Sequence, residues 1–391
     1  MQVFSPHNTK SGFIATDAEE LDSGRKGSDR IILAIVIMLM MVGLMAVYSS
    51  IAFFAETKST SAGSMLLGHM VKMGIAFMVM ILFSKIDYHM LLRFSKVAVL
   101  VSWALLLFVI VFGTESFGAK RWISLGGFSF QPSSFATVAL VLQVTTMMIN
   151  KQEYIHDFKR AFLPIMVWIF ITCALIGVED FSSAGLLFVI CMLILFIGRV
   201  KLTHISGLIG LGLLGGIVLI GQNPERQKRI DNYIEQVIHI KSDNFALDEG
   251  YQSQQAHIAF ARGELFGVGI GKSSQRDFLP APYNDFIFAI IGEEYGLVGG
   301  IFLMILFSAF LIRGVGVVAR RAIDQQGMLL AAAFTFTVAL YGFINAGVAS
   351  GMLPVTGLPM PFVSYGGTNM LFAGLMVGVV LNVSKKKMNR A

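Results

Sequence analysis

Charge is scarce in this sequence. Asp, Glu, Lys and Arg make up 14% of its 391 residues, against about 25% in soluble globular proteins. A chain so poor in solvating groups does not present a large wettable surface. There are two cysteines, Cys173 and Cys191, both inside apolar runs. That argues against a disulfide-stapled domain and predicts two small buried hydrophobes. The seven histidines are scattered, with no HxxxH or HxH spacing, so the usual zinc pattern is missing. A nucleotide phosphate loop is missing too. GIGKSS at 269–274 needs a glycine five residues before Gly271, and Phe266 stands there. The chain does not open on a basic patch running at once into an apolar stretch, so no cleaved signal peptide is expected.

Apolar sequence is what the chain has in abundance. Hydrophobic residues reach 55%, with 33 Phe, 40 Gly and 22 Met. A membrane-spanning helix needs about 20 apolar residues. Ten runs qualify as candidates, at 31–54, 67–84, 91–112, 132–149, 161–178, 184–198, 204–221, 286–312, 328–350 and 362–384. The expected fold is an all-α polytopic membrane protein. Residues 1–29 read as a disordered tail, 30–385 as the transmembrane domain and 386–391 as a basic tail. Most lysines and arginines fall on alternate connections if the N-terminus is cytoplasmic, which places both termini inside and a large outer segment, 222–284, between the seventh and eighth spans. The net charge of +6 therefore marks topology rather than a nucleic-acid partner. Within the outer segment, NPERQKRIDNYIEQ reads as an amphipathic helix, with Ile230, Tyr233, Ile234 and Val237 at helical spacing. The stretch QSQQAHIAFARGELFGVGIG after it is weakly apolar and glycine-broken, either re-entrant or packed on the bundle.

A few polar residues stand where they are expensive. Asp285 lies at the outer end of the eighth run, after Pro280 and Pro282. It is either a helix N-cap, a functional carboxylate, or both. Glu293 and Glu294 lie two turns deeper, about 100° apart on a helix, so they are expected to face different ways. They are a structural ion pair or polar contact, or part of a proton or ion path. Lys120 and Arg121 sit in the outer loop TESFGAKRWISLGGFSFQ, against the positive-inside trend and next to Trp122. They grip a phosphate or a carboxylate, or anchor the interface with Trp122. Glu179 and Asp180 occupy a short outer turn, where they cap the sixth run with Ser182 or Ser183, or meet Lys120 or Arg121. The segment ASGMLPVTGLPMPFVSYGGTNM breaks helix with Pro354, Pro359 and Pro361; Asn345, Thr356, Ser364 and Thr368 are its candidate pocket groups.

Three extended stretches together resemble one family. They are GAKRWISLGGFSFQPSSFA (118–136), FGVGIGKSSQRDFLP with NDFIFAIIGEEYG (266–296), and LPVTGLPMPFVSYGGTNM (353–370). Over about 30–385 the chain resembles the SEDS (shape, elongation, division and sporulation) family of bacterial cell-wall polymerases, nearer its division branch than its elongation branch. The resemblance implies a peptidoglycan glycosyltransferase that polymerises lipid II at the outer face of the cytoplasmic (inner) membrane, at the division septum. It implies a class B penicillin-binding protein as partner, with other divisome membrane proteins. The family's essential aspartate falls on Asp285, its basic loop pair on Lys120 and Arg121, and its Gln-Pro-Ser motif begins at Gln131. Substrate contacts are expected from Lys120, Arg121, Trp122, Gln131, Ser364 and Thr368. Support is expected from Glu179, Asp180, Glu293, Glu294 and Asn345, and a divalent cation, Mg or Mn, is a possible cofactor. Where the family has Gln-Pro-Ser-Glu and then a lysine, Ser134 and Thr137 stand here. A lipid II flippase, or a non-catalytic activator of a penicillin-binding protein, are the alternatives.

Overall fold

The structure, a computed structural model, describes residues 28–57, 62–116, 119–125, 128–238, 251–279 and 282–385. Of the tail expected at 1–29, residues 1–27 lie outside the described residues, as do the tail at 386–391, Pro280 and Ala281. Helix dominates because a chain in hydrocarbon must satisfy its own backbone. In order the helices are α1 (Arg30–Thr57), α2 (Ala62–Lys85), α3 (Tyr88–Arg93), α4 (Ser95–Phe112), α5 (Pro132–Asn150), α6 (Leu163–Glu179), α7 (Phe181–Ile197), α8 (Leu202–Gly221), α9 (Pro224–Ile238), α10 (Tyr251–Gly263), α11 (Ile287–Arg313), α12 (Gln325–Ala349) and α13 (Thr368–Val383). Among the described residues, eight helices are long and apolar enough to span: α1, α2, α4, α5, α6, α8, α11 and α12. The apolar helices α7 and α13 are shorter, at 17 and 16 residues, and fall on the sixth and tenth apolar runs. This is an all-α polytopic membrane protein.

One departure is the segment between α4 and α5. It was expected as a loop and instead carries three short antiparallel strands, β1 (Thr114–Ser116), β2 (Ala119–Leu125) and β3 (Phe128–Phe130), in the order β1-β2-β3. The signal was present in the sequence: Gly126 and Gly127 separate two alternating stretches, a hairpin pattern.

Burial orders the bundle. In α5 and α12, 72% of the spanning window is buried, against 11% in α8, so α5 and α12 form the centre and α8 the rim. α13 lies close on α2 because Gly374 and Gly378, one turn apart, leave room for the backbone of Ala76 and Met80. At one end, Asp29 caps α1 through the amides of Ile31 and Ile32 and pairs with Arg313 at 2.7 Å, while Ser384 accepts its amide. Asp29 thus belongs to the bundle rather than to the tail. Tyr88 and His89 both bond Asp324 at the same end. Lys85, Arg93, Arg313, Arg320, Arg321 and Lys385 border these residues in the sequence, which marks this end as cytoplasmic. The β-strands, the α6–α7 turn and the starts of α11 and α13 gather at the opposite, outer end.

The eighth span is broken. Gly296 in α11 has φ 67° and ψ −166°. Such a break frees backbone groups at membrane depth, which need protein partners. They find them in the segment after α10. Val268 and Gly269 donate to the carbonyls of Glu293 and Glu294, and Leu297 and Val298 donate to those of Glu264 and Leu265. Close approach is possible because Gly263 abuts the Gly292 carbonyl and Gly267, at φ +82°, abuts that of Glu294. The stretch that was open between re-entrant and bundle-packed is therefore packed on α11.

Candidate active site

Asp285 lies two residues before α11, but it does not cap the helix. The N-cap position is Phe286, with no side-chain cap bond, so the capping alternative is corrected. The reason lies some 70 residues downstream. The proline- and glycine-broken segment before α13 holds the backbone of 283–285 from its other side. Asn345 donates its amide to the carbonyls of Asp285 (2.9 Å) and Leu358 (2.8 Å). Ser364 donates to Asn284 O at 2.5 Å and accepts from the Met360 amide. The Tyr365 amide donates to Tyr283 O at 2.8 Å. Asp285 is thereby turned toward Gly357, where an added Cβ would come 3.9 Å from its Oδ2.

Asp285 is half-buried, and no side chain hydrogen-bonds its carboxylate among the described residues. Loss of water raises its pKa to about 6, while its own amide and the charge of Arg229 on α9 act to lower it. Two further polar atoms of this frame, Asn345 Oδ1 and the Thr356 hydroxyl, are buried without partners. Sequence reasoning placed Arg229 in a surface helix and missed its action on Asp285. The amphipathic pattern shows which face of α9 is wet, not what it meets.

A second cluster surrounds the α6–α7 turn. Asp180 caps α7 through the Ser183 amide (3.2 Å) and accepts from the Ser183 hydroxyl (2.7 Å). Gln131 reaches Asp180 at 3.3 Å. Thr368 accepts from the Gln131 amide and donates to Ser129 O at 2.7 Å, fastening α13 to β3. Arg121 Nε donates to Glu179 O at 2.8 Å, and both line a small crevice with Asp180, Pro132 and Ser133. Trp122 is half-buried in β2, and Lys120 pairs with Glu115 in the β1–β2 register. Among the described residues no contact joins Arg121 to Asp285. Ser364, Thr368 and Asn345 spend their described hydrogen bonds on backbone, and the Gln131 side chain spends its own on Asp180: they frame the site. At the two departures, Ser134 is buried, and Thr137 donates back to Ser133 O and bonds the Tyr341 hydroxyl, which also bonds Ser183. A hydroxyl network of Thr137, Tyr341 and Ser183 stands at these positions and ends on Asp180.

Glu293 and Glu294 differ from expectation. Despite their angular separation, both bind the 273–276 turn, which wraps across the broken helix. Glu293 accepts from the Ser273 hydroxyl (2.5 Å) and from the Ser274 and Gln275 amides (3.1 Å each), with Arg262 at 3.8 Å. Glu294 accepts from Ser49 and from the Ser273 amide. Their described contacts are structural.

The model of the cell cycle protein family of FtsW, RodA and SpoVE matches residues 29–389. This chain belongs to that family. The stage V sporulation protein E of Bacillus subtilis is 33% identical over 361 residues, 91% of this chain and 97% of the relative. A protein of Geobacter sp. (strain M18) named probable peptidoglycan glycosyltransferase FtsW is 32% identical over 366 residues, 92% of this chain and 98% of the relative. Among solved structures, a chain of a peptidoglycan synthase complex superposes with a TM-score of 0.74 at 22% identity, covering 91% of this chain and 97% of that one. The Thermus thermophilus rod shape determining protein RodA follows at 0.67 and 21%, covering 93% and 98%. At those identities the two structures speak for the fold.

Proposed function

We propose that this family member is a peptidoglycan glycosyltransferase that polymerises lipid II into glycan strands at the outer membrane face during cell division. Relatives that share about a third of its residues along nearly their whole length carry that activity in their names. The observation that carries the mechanism is Asp285: a carboxylate at the outer end of the bundle, without a side-chain partner among the described residues, not capping, and with its affinity for protons raised by burial.

Glycan extension joins a sugar C1 bearing pyrophosphate to an acceptor hydroxyl, and configuration inverts from α to β. The acceptor proton must go to a base as the new bond forms, and the departing pyrophosphate needs positive charge. Asp285 takes the proton. Its backbone frame, built by Asn345, Ser364 and Tyr365, fixes the carboxylate so that little reorganisation precedes transfer. Arg229 acts on Asp285 and keeps its pKa from rising further; Arg121 and Arg226 are cations of the second cluster, with Lys120 next to Arg121 in the chain. Among the described residues no three His, Cys, Asp or Glu side chains gather to hold a metal. A divalent cation fits this site only as a companion of the substrate phosphates with one protein carboxylate, and no step here depends on it.

The partner in this reading is a class B penicillin-binding protein, within a septal assembly of the inner membrane. The test is polymerisation of labelled lipid II by the purified chain, alone and with such a partner, read as glycan strand length. Strands dependent on the chain support the proposal, and their absence in both settings removes it.

A further inference from the structure

One cation in the membrane-spanning part has no acidic partner. Lys72 lies on α2, half-buried, and no carboxylate pairs with it among the described residues. An ammonium at such depth is costly and is ordinarily compensated. Its contacts are with Tyr365: Nζ stands 4.6 Å from the ring centroid and donates to the hydroxyl at 3.4 Å. A cation over an aromatic face is only partly compensated, and one phenol oxygen uses one of three N–H donors. Helical side chains lean toward the helix N-terminus, which for α2 is the outer end. Lys72 therefore reaches toward the surface where Asp285 stands.

A second group is equally unprovided for. His69, one turn earlier on the same face of α2, is fully buried, and neither ring nitrogen has a partner. Its ring stacks on Tyr365 at 5.3 Å. Tyr365 also meets the edge of Tyr283 at 5.4 Å, and the charge of Asp285 acts on Tyr283. One aromatic wall thus carries an uncompensated cation and an unpartnered imidazole at one side and adjoins the candidate base at the other.

We propose that Lys72, seated on Tyr365 with His69 beside it, binds the pyrophosphate of a polyprenyl-linked sugar substrate. The inference rests on the glycosyltransferase reading and assigns the substrate's anion to α2 rather than to the Lys120–Arg121 strand. A diester pyrophosphate supplies both the negative charge Lys72 lacks and oxygens for its free N–H groups. The polyprenyl chain would then leave along α2, whose outer surface carries Leu67, Met70, Val71 and Ile75 exposed.

The test compares wild type, Lys72→Met, Lys72→Gln and Lys72→Arg in nanodiscs of zwitterionic lipid, with a fluorescent polyprenyl pyrophosphate and the matching neutral polyprenol as probes. The expected result is at least a tenfold weaker pyrophosphate affinity in Met and Gln, unchanged polyprenol binding, and Arg within threefold of wild type. In turnover, KM for lipid II rises at least tenfold and kcat stays within threefold. Pyrophosphate affinity within twofold of wild type in Met and Gln overturns the proposal. So does an equal loss for the neutral polyprenol, or displacement of the probe by an equal amount of phosphatidylglycerol. Wild type inert toward lipid II would instead remove the glycosyltransferase reading; Met and Gln equal to an active wild type would remove Lys72 alone.

Discussion

As the proposed base, Asp285 would act only when ionised, so its environment would set the pH of turnover. Burial moves its pKa up to about 6, so the carboxylate is mostly free at neutral pH and protonated below about 6. Polymerisation should rise as pH passes through that value and level off above it. Arg229 lowers that pKa, so Arg229→Gln should move the midpoint upward, measured as the pH profile of kcat/KM. For stability the sign is opposite. A carboxylate whose pKa is raised on folding favours the folded state when protonated, and that contribution is lost as pH rises through the folded value. The sequence made Asp285 visible because an acid beside an apolar run is conspicuous. It left open whether that acid was a cap or a reagent, because the answer depends on Asn345, Ser364 and Tyr365, which reach it from far along the chain. Lys72 and His69 lay inside an apolar run and gave no motif; what singles them out is the missing partner, which is a property of the fold.

At the scale of elements, the break in α11 is the feature on which the outer end rests. Gly296→Ala would place a Cβ 2.5 Å from the Leu265 carbonyl and the Gly267 amide nitrogen, at a positive φ. Strain of that kind costs about 1–3 kcal/mol before any clash. Gly271 also has positive φ, at +76°, but open space around it. Gly271→Ala should therefore lower the thermal midpoint in detergent clearly less than Gly296→Ala; equal effects would contradict the account. Glu293 separates structure from proton transfer. Glu293→Ala leaves the Ser273 hydroxyl and the Ser274 and Gln275 amides without their acceptor, at about 1–3 kcal/mol for each unsatisfied buried group, so it should destabilise the chain and expose the 273–276 turn to protease. A stable but inactive variant would instead point to a proton path. Helix positions were legible from apolar run length alone. The kink was not, since EEYGLVGG reads as continuous helix until the partners of Gly296 are known. The β-strands were legible in the Gly126–Gly127 hairpin signal, yet a stretch rich in glycine and serine reads first as loop.

Among the described residues, Asp285, Lys72, His69, Asn345 Oδ1 and the Thr356 hydroxyl gather toward the outer end, with Arg229 acting on Asp285. A polar cluster there suits an enzyme drawing a lipid-linked substrate from the outer leaflet, where a transporter would need a polar route through the bilayer. Reconstituted in vesicles, the chain should not move labelled lipid II between leaflets faster than protein-free controls; rapid movement would favour the flippase. The most direct measurement compares wild type with Asp285→Asn, each purified with the proposed class B partner and supplied with lipid II. The expected result is long glycan strands from wild type and none from the variant, with a thermal midpoint no lower than wild type, because the neutral amide escapes the burial cost of the carboxylate, and with equal partner binding. Strands from Asp285→Asn at the wild-type rate would contradict it.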